Sequence, residues 1–462
     1  MIFLITVAAP VLIGYLLVRA LLPTLKPAWV GILLTLSLGA GCGVALLSLL
    51  RFLGQITIGA FWISEIVLLC GVYFLRRDDR VQGESRAINA WGWLLGAVLA
   101  VAVGMQIVNF SRVSEGMPHG QWDAWAIWNL RAAFLAEPGA AWRGGFSPLL
   151  SDFPGNFATH PDYPMLLSEY VARCWALTGS RETAVPIFVA ALFSFATVAL
   201  LVSALTYLRS WTIGAIGGLI LLSNATFTLN TSTQYADVPL SFFFLATGVL
   251  LLLADADREG PGYAMILAGF MAGCAAWTKN EGLVFAAVVS LALCICVLLG
   301  KLPARRLLLF CSGLALPLAV VIYFKIVLAP GSLPVSLSHI GESARYTQIL
   351  TAFWTEACSM GAGLSHPAAY LALAFLALGV SPRFLQSPLL RVSLGIWITM
   401  LAAYFVVYVV TPYDLAWHLG SSLGRVLTQL VPGATLLLLA ICGTAEQTSA
   451  ATPIEPKKRK RN

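Results

Sequence analysis

In GQWDAWAIWNL, residues 120–130, one carboxylate, Asp123, stands among Trp122, Trp125 and Trp128. A carboxylate held against apolar rings has its charged form disfavoured by desolvation, a common condition for a general base. The plainer role is an N-cap for a helix opening at Ala124, because Asp is a preferred cap. THPDYP, 159–164, sets His160 just before, and Asp162 and Tyr163 between, two prolines that stiffen the chain, and also reads as a Pro-rich helix start. YADVP, 235–239, places Asp237 just ahead of a long apolar run, where a cap again explains it. AWTKNEGL, 276–283, puts Lys279 and Glu281 in a few polar residues between two apolar runs; snorkelling of a helix-end lysine is the simple alternative to anion binding. WHLGSSLGR, 417–425, supplies His418 and Arg425, and HIGESARY, 339–346, adds His339 and Arg345. Guanidinium is the usual bidentate partner of phosphate and ammonium a point charge for it. An acid, imidazoles and cations of these kinds suit proton transfer from a hydroxyl close to a phosphate.

These residues hang on an unusual frame. The 462 residues are 59% hydrophobic and 11% charged, and apolar runs long enough to cross ~30 Å of hydrocarbon recur along the chain. Stretches such as AVPIFVAALFSFATVALLVSALTYL lack the alternation of a membrane β-barrel, so the expectation is an all-α polytopic membrane protein. Spans are predicted at 2–22, 28–50, 56–75, 88–110, 184–208, 211–229, 238–254, 263–278, 283–300, 307–328, 367–380, 393–411 and 426–444, about thirteen in all. The first run lacks a basic n-region and a small-residue cleavage site and reads as a retained helix. Seven cysteines fall in apolar runs as small hydrophobes, leaving Cys174 and Cys358 as the pair that could meet outside the membrane. No P-loop, CxxC pair or GxGxxG after a strand points to a nucleotide site. The net charge of +7 owes its densest part to the terminal KKRKR, which suits an anionic leaflet rather than nucleic acid.

With the RRDDR loop (76–80) and the KKRKR tail inside, most of the 28 basic residues are cytoplasmic, as the positive-inside rule requires. All five histidines then fall outside, with Asp123, Asp152, Asp162, Glu169, Asp237, Glu281, Glu342 and Asp414. The segment 111–183 is an outer loop with two interfacial helices expected, AWAIWNLRAAFL and YPMLLSEYVARCWAL; in the first, Trp125 and Trp128, three apart, should share a face. Glu65, mid-span in the third helix, is costly there and has no partner evident in the sequence.

Together these residues resemble the GT-C superfamily of membrane glycosyltransferases that use polyprenyl-phosphate sugars, including protein O-mannosyltransferases, aminoarabinose transferases and lipopolysaccharide-core transferases. The likeness runs from about 88 to 300, with an echo at 411–432. It matches the family's outer-loop acid to Asp123, its His-Pro-Pro-type motif to His160-Pro161-Asp162-Tyr163-Pro164, its Asp-x-Pro-Leu to Asp237-Val238-Pro239-Leu240 and its Thr-Lys-Gly-type turn to Thr278-Lys279-Asn280-Glu281-Gly282. Ala124 stands where many members carry a second acid, and three extra helices precede the core. The implied arrangement is additional helices over 1–87, a core over 88–300, C-terminal spans over 301–445 and a basic cytoplasmic tail over 446–462. The implied activity is inverting transfer of a sugar from a lipid-phosphate donor to a hydroxyl of a glycan, lipid or protein acceptor, on the periplasmic side of a bacterial inner membrane. Asp123 would be the base; Lys279, Arg425 and Arg345 would hold the donor phosphate. Trp122, Trp125, His160, Asp162, Tyr163, Asp237, Glu281 and His418 would line the substrates, with a divalent metal left open. A transporter or flippase of a lipid-linked glycan, and an O-antigen polymerase or ligase, are the rival readings.

Overall fold

The computed structural model describes residues 2–22, 30–75, 90–147, 160–256, 260–329, 336–361, 363, 366–381 and 387–443. Lys26, the loop at 76–80, Arg86, Asp152, Thr159, Arg258, Arg383 and the tail 446–462 lie outside them. Among the described residues the regular elements are helices: α1 (Ile2–Leu21), α2 (Val30–Gly41), α3 (Val44–Gly54), α4 (Ile58–Leu75), α5 (Ala90–Gly116), α6 (Asn129–Leu135), α7 (Leu166–Thr178), α8 (Ala184–Leu208), α9 (Trp211–Ser223), α10 (Ala225–Asn230), α11 (Asp237–Ala256), α12 (Ala264–Thr278), α13 (Asn280–Leu298), α14 (Ala304–Tyr323), α15 (Ser343–Ser359), α16 (Pro367–Leu378), α17 (Pro388–Val410) and α18 (Leu415–Ala440). Two π turns, Ala124–Trp128 and Phe324–Leu328, lead into α6 and extend α14.

Among the described residues, eight helical stretches are long and apolar enough to cross a membrane: α2 with α3, α5, α8, α11, α13, α14 with its π turn, α17 and α18. The protein is thus built as a polytopic membrane protein. Five shorter apolar helices, α1, α4, α9, α12 and α16, sit where further spans are predicted. Local chemistry explains several boundaries. Asn224 ends the expected 211–229 span early, because its side chain accepts from Phe227 N at 2.8 Å and caps α10. Asp414 caps α18 by accepting from Trp417 N at 2.8 Å, so that helix begins well before residue 426 and carries His418 and Arg425 within it.

The centre is α11. Every residue from Asp237 to Ala254 is buried, including Phe242, Phe243 and Phe244 on successive positions. A helix apolar all round is stable only when surrounded, and here α8, α12, α17 and α18 surround it. Lipid tails are as apolar as these side chains, so the helices associate through close packing. The α12–α14 crossing shows this: a Cβ on Gly269 would overlap the Phe310 carbonyl, and one on Gly313 the Ile266 carbonyl.

Three expectations change. The segment holding Trp125 and Trp128 opens with a π turn, whose wider coil rotates less per residue; Trp125 is therefore 47% exposed while Trp128 is 1% exposed. The helix α7 is enclosed by other helices: Leu166 through Trp175 are all buried, packed by α1, α3, α6, α8 and α12. And α15, too polar to register as an apolar run, lies against α17 and α18 with Arg345 and Ile349 inward and Leu350 and Trp354 exposed.

Glu65 finds its partner in α7. Arg173 donates from Nε and Nη2 to the two carboxylate oxygens at 2.8 and 2.7 Å, and from Nη1 to the Thr6 carbonyl, all buried. This fork ties α1 and α4 to α7. Removing one partner strands the other charge in a dry interior. Glu65→Ala is expected to cost about 3–5 kcal/mol, read as a lowered thermal-unfolding midpoint in micelles, whereas Glu65→Leu with Arg173→Leu recovers most of it. Equal loss in the single and double variants would contradict this account.

Candidate functional site

The ends of the helices predicted to face outward converge at one end of the bundle. Asp237, the first residue of α11 and 1% exposed, accepts at Oδ1 from Lys279 Nζ at 2.9 Å and from Gln429 Nε2 at 2.6 Å. Its Oδ2 lies 3.8 Å from Arg425 Nε, and Arg425 Nη1 is 2.8 Å from Asp123 Oδ2. Lys279 Nζ also meets Glu281 Oε1 at 2.9 Å. The result is a ladder of alternating sign, Asp123, Arg425, Asp237, Lys279, Glu281, drawn from the segment between α5 and α6, α18, α11 and the α12–α13 turn.

Each rung has a local reason. Neither Asp123 nor Asp237 caps a helix with its side chain; the α11 N-terminus nevertheless favours the Asp237 charge through its dipole. Lys279 is a single extended residue between α12 and α13, which leaves its ammonium free to turn inward. The following turn needs Gly282, where a Cβ would overlap the Ala275 carbonyl. Burial opposes the Lys279 charge, but Asp237 and Glu281 outweigh it and hold its pKa above the usual lysine range. Gln429 is oriented from behind by Tyr404, whose hydroxyl donates to its Oε1 at 2.6 Å.

A second cluster borders the ladder. Asn280 Nδ2 donates to Asp162 Oδ2 at 2.8 Å, and Lys325 Nζ donates to Asn280 Oδ1 at 2.7 Å and to the Asp162 carbonyl at 2.5 Å. Lys325 comes from the second π turn, as Asp123 immediately precedes the first; such turns are rare and often mark functional sites. Tyr163 stacks with His160 at 4.5 Å and with Trp128 at 5.7 Å, and Lys279 Nζ lies 5.8 Å from its ring centre. His160 has φ +37°, a strained value that Arg131 stabilises by donating to the carbonyls of His160 and Tyr163, both at 2.7 Å. Burial pulls the Arg131 guanidinium down to about 10, against the attraction of Asp162. Burial also lowers the His160 pKa, overcoming the attraction of Asp162 and Asp123.

The structure thus joins Asp123, Arg425, Asp237, Lys279 and Glu281 directly and sets His160, Asp162 and Tyr163 beside them. The neighbour of Asp123 is a cation, not the tryptophan rings: Trp122 and Trp125 are exposed and pack edge to face on each other at 4.5 Å. Arg345 stands apart as well. It donates to the Tyr408 carbonyl at 3.0 and 3.2 Å and to the Thr411 carbonyl at 3.0 Å, satisfying the last turn of α17. His418 accepts or donates at Nδ1 with Thr411 Oγ1 at 2.9 Å and packs on Tyr408 and Tyr413, off the ladder. Cys174 is buried and Cys358 exposed, and both are free thiols. Gln429, Tyr404, Asn280, Lys325 and Arg131 join the site without having been expected. Only Lys325 carried a signal, as a cation in an otherwise apolar run. Among the described residues no group of three or more His, Cys, Asp or Glu is placed to hold a metal ion.

Because the fold lowers the His160 pKa, its contribution to stability is present above the unfolded value near ~6.5 and is lost as pH falls through the folded value. His160→Phe keeps an aromatic ring against Tyr163 and removes the titration. The drop in melting midpoint between about pH 7.5 and pH 5.5 is expected to be smaller in this variant than in the parent; an equal drop would assign the acid sensitivity elsewhere. Comparison of the chain with protein-family models, with characterised proteins and with solved structures finds no match.

Proposed function

We propose that the chain is a GT-C-type glycosyltransferase that moves a sugar from a polyprenyl-phosphate donor to a hydroxyl of an envelope glycan, lipid or protein. The single observation that carries this reading is the Asp123–Arg425 pair at the head of the ladder. It places a partly exposed carboxylate and a partly exposed guanidinium in contact, where an outer loop meets α18. In this reading the chain crosses a bacterial inner membrane thirteen times, the five shorter apolar helices included, with the ladder facing the periplasm.

Asp123 takes the proton of the acceptor hydroxyl. The acceptor oxygen bonds to the anomeric carbon, the bond from that carbon to the phosphate oxygen breaks, and its electron pair leaves with the lipid phosphate. Attack opposite the leaving group inverts the anomeric centre. Arg425 stabilises the departing charge. Lys279, bound to Asp237 and Glu281, adds a fixed positive charge behind Arg425. His160, Asp162, Tyr163 and Glu281 border the space for the sugar, and His418, Trp122 and Trp125 lie further out. Any acceptor must reach Asp123 from the aqueous side. The arrangement favours transfer over transport, because Asp237, Lys279 and Glu281 sit at helix ends and Asp123 in a loop, rather than at broken helices near the midplane.

The test is Asp123→Asn in reconstituted protein given a labelled polyprenyl-phosphate sugar and envelope acceptors. Product formation is expected to fall by roughly 10²–10⁴-fold while the melting midpoint stays near that of the parent. Native-rate transfer by a folded Asp123→Asn variant would remove the assigned base.

A further inference from the structure

The ladder holds three carboxylates to two cations. Lys279 is 2% exposed and shared by two carboxylates. Arg131 serves the carbonyls of the His160 loop and Lys325 serves Asp162 and Asn280. Arg425 differs. Its side chain is 22% exposed, it lies 4.8 Å over the Tyr235 ring, and its buried Nε has no hydrogen-bond partner, being 3.8 Å from Asp237 Oδ2. It is therefore the one cation of the ladder whose side chain is open to an incoming oxyanion, and the only one bound to the residue assigned as base.

Those two facts conflict unless the guanidinium changes partner. A phosphate that approaches while Asp123 is ionised competes with that carboxylate for Arg425 and meets a ladder of net negative charge. During transfer the charges move. Asp123 goes from anionic to neutral as it receives the acceptor proton, while the lipid phosphate passes from a diester with one negative charge to a monoester that can carry two. One unit of negative charge leaves the base and appears on the leaving group.

We propose that Arg425 follows that charge, so that protonation of Asp123 releases the guanidinium to the departing lipid phosphate and couples the base to the leaving group. The inference rests on the transferase reading and deepens it. Before an acceptor delivers its proton, Arg425 stays with Asp123 and the donor phosphate is weakly held. Afterwards the product phosphate is held more firmly, until Asp123 loses its proton again. Tyr235, under the guanidinium, supplies a surface on which the head group can swing while it keeps a cation–π contact.

The experiment measures binding of undecaprenyl phosphate to the full chain in nanodiscs, by isothermal titration at pH 7.5. Asp123→Asn copies the protonated base in shape and charge, and Asp123→Ala serves as a second neutral variant. Removal of the competing carboxylate is expected to tighten binding about tenfold in either variant. Arg425→Gln is expected to weaken binding, and Asp123→Asn combined with Arg425→Gln to bind no more tightly than Arg425→Gln alone. Binding by the parent with no gain in either neutral variant overturns the coupling and leaves the transferase reading standing. A gain that persists without Arg425 overturns the choice of cation. Absence of binding in the parent and in all variants overturns the lipid-phosphate reading itself.

Discussion

The arrangement depends on one buried charge. Asp237 opens the most enclosed helix of the bundle, and an ionised carboxylate in such a place is tolerable only when it is paired and hydrogen-bonded. Lys279 and Gln429 supply the bonds and Arg425 a second positive charge. Meeting that demand draws the α12–α13 turn and the middle of α18 onto the head of α11. The same two cations then have a second side each, and it is on those sides that Glu281 and Asp123 lie. The reactive end of the ladder is thus a by-product of neutralising its centre.

The layers around this point have a clear division of labour. α11 contributes position through complete enclosure, and its phenylalanines give it no polar face on which to slide or rotate. The loop that carries Asp123 is held at several points. It is pinned by Arg131 to its own carbonyls, by Asn280 and Lys325 to α13 and α14, and by ring stacking of Tyr163 on Trp128. α7 closes the loop and is itself fixed from outside by the Glu65 fork, so the N-terminal helices support the site without contributing a residue to its ladder. Both π turns occur where a side chain must be aimed out of the regular helical path, which fits their placement beside Asp123 and at Lys325.

Two groups show what enclosure alone does. Glu169 is fully buried with neither carboxylate oxygen hydrogen-bonded, and burial pushes its pKa well above the carboxylate range. Lys279 is as deeply buried and stays charged, because two carboxylates face it. The difference between the two is partnership, not depth.

The sequence by itself determined the solvent, the helical class and the grouping of the polar residues at one end. Apolar runs of sufficient length in lipid permit little but helices, and the basic bias of the loops orders their ends. It also singled out the five groups of the ladder by their types and positions. Only the tertiary structure decided who meets whom. Asp123 and Arg425 are separated by some three hundred residues and most of the other partners by tens to nearly two hundred, and pairing at such range follows from packing and not from spacing. Packing also gave Glu65 its arginine, turned Trp128 inward and Trp125 outward, buried α7, and spent Arg345 on main-chain carbonyls. Gln429 and Asn280 left no trace in the pattern, since a neutral amide within or beside an apolar run carries no charge to mark it; its worth appears only when a buried carboxylate needs a donor.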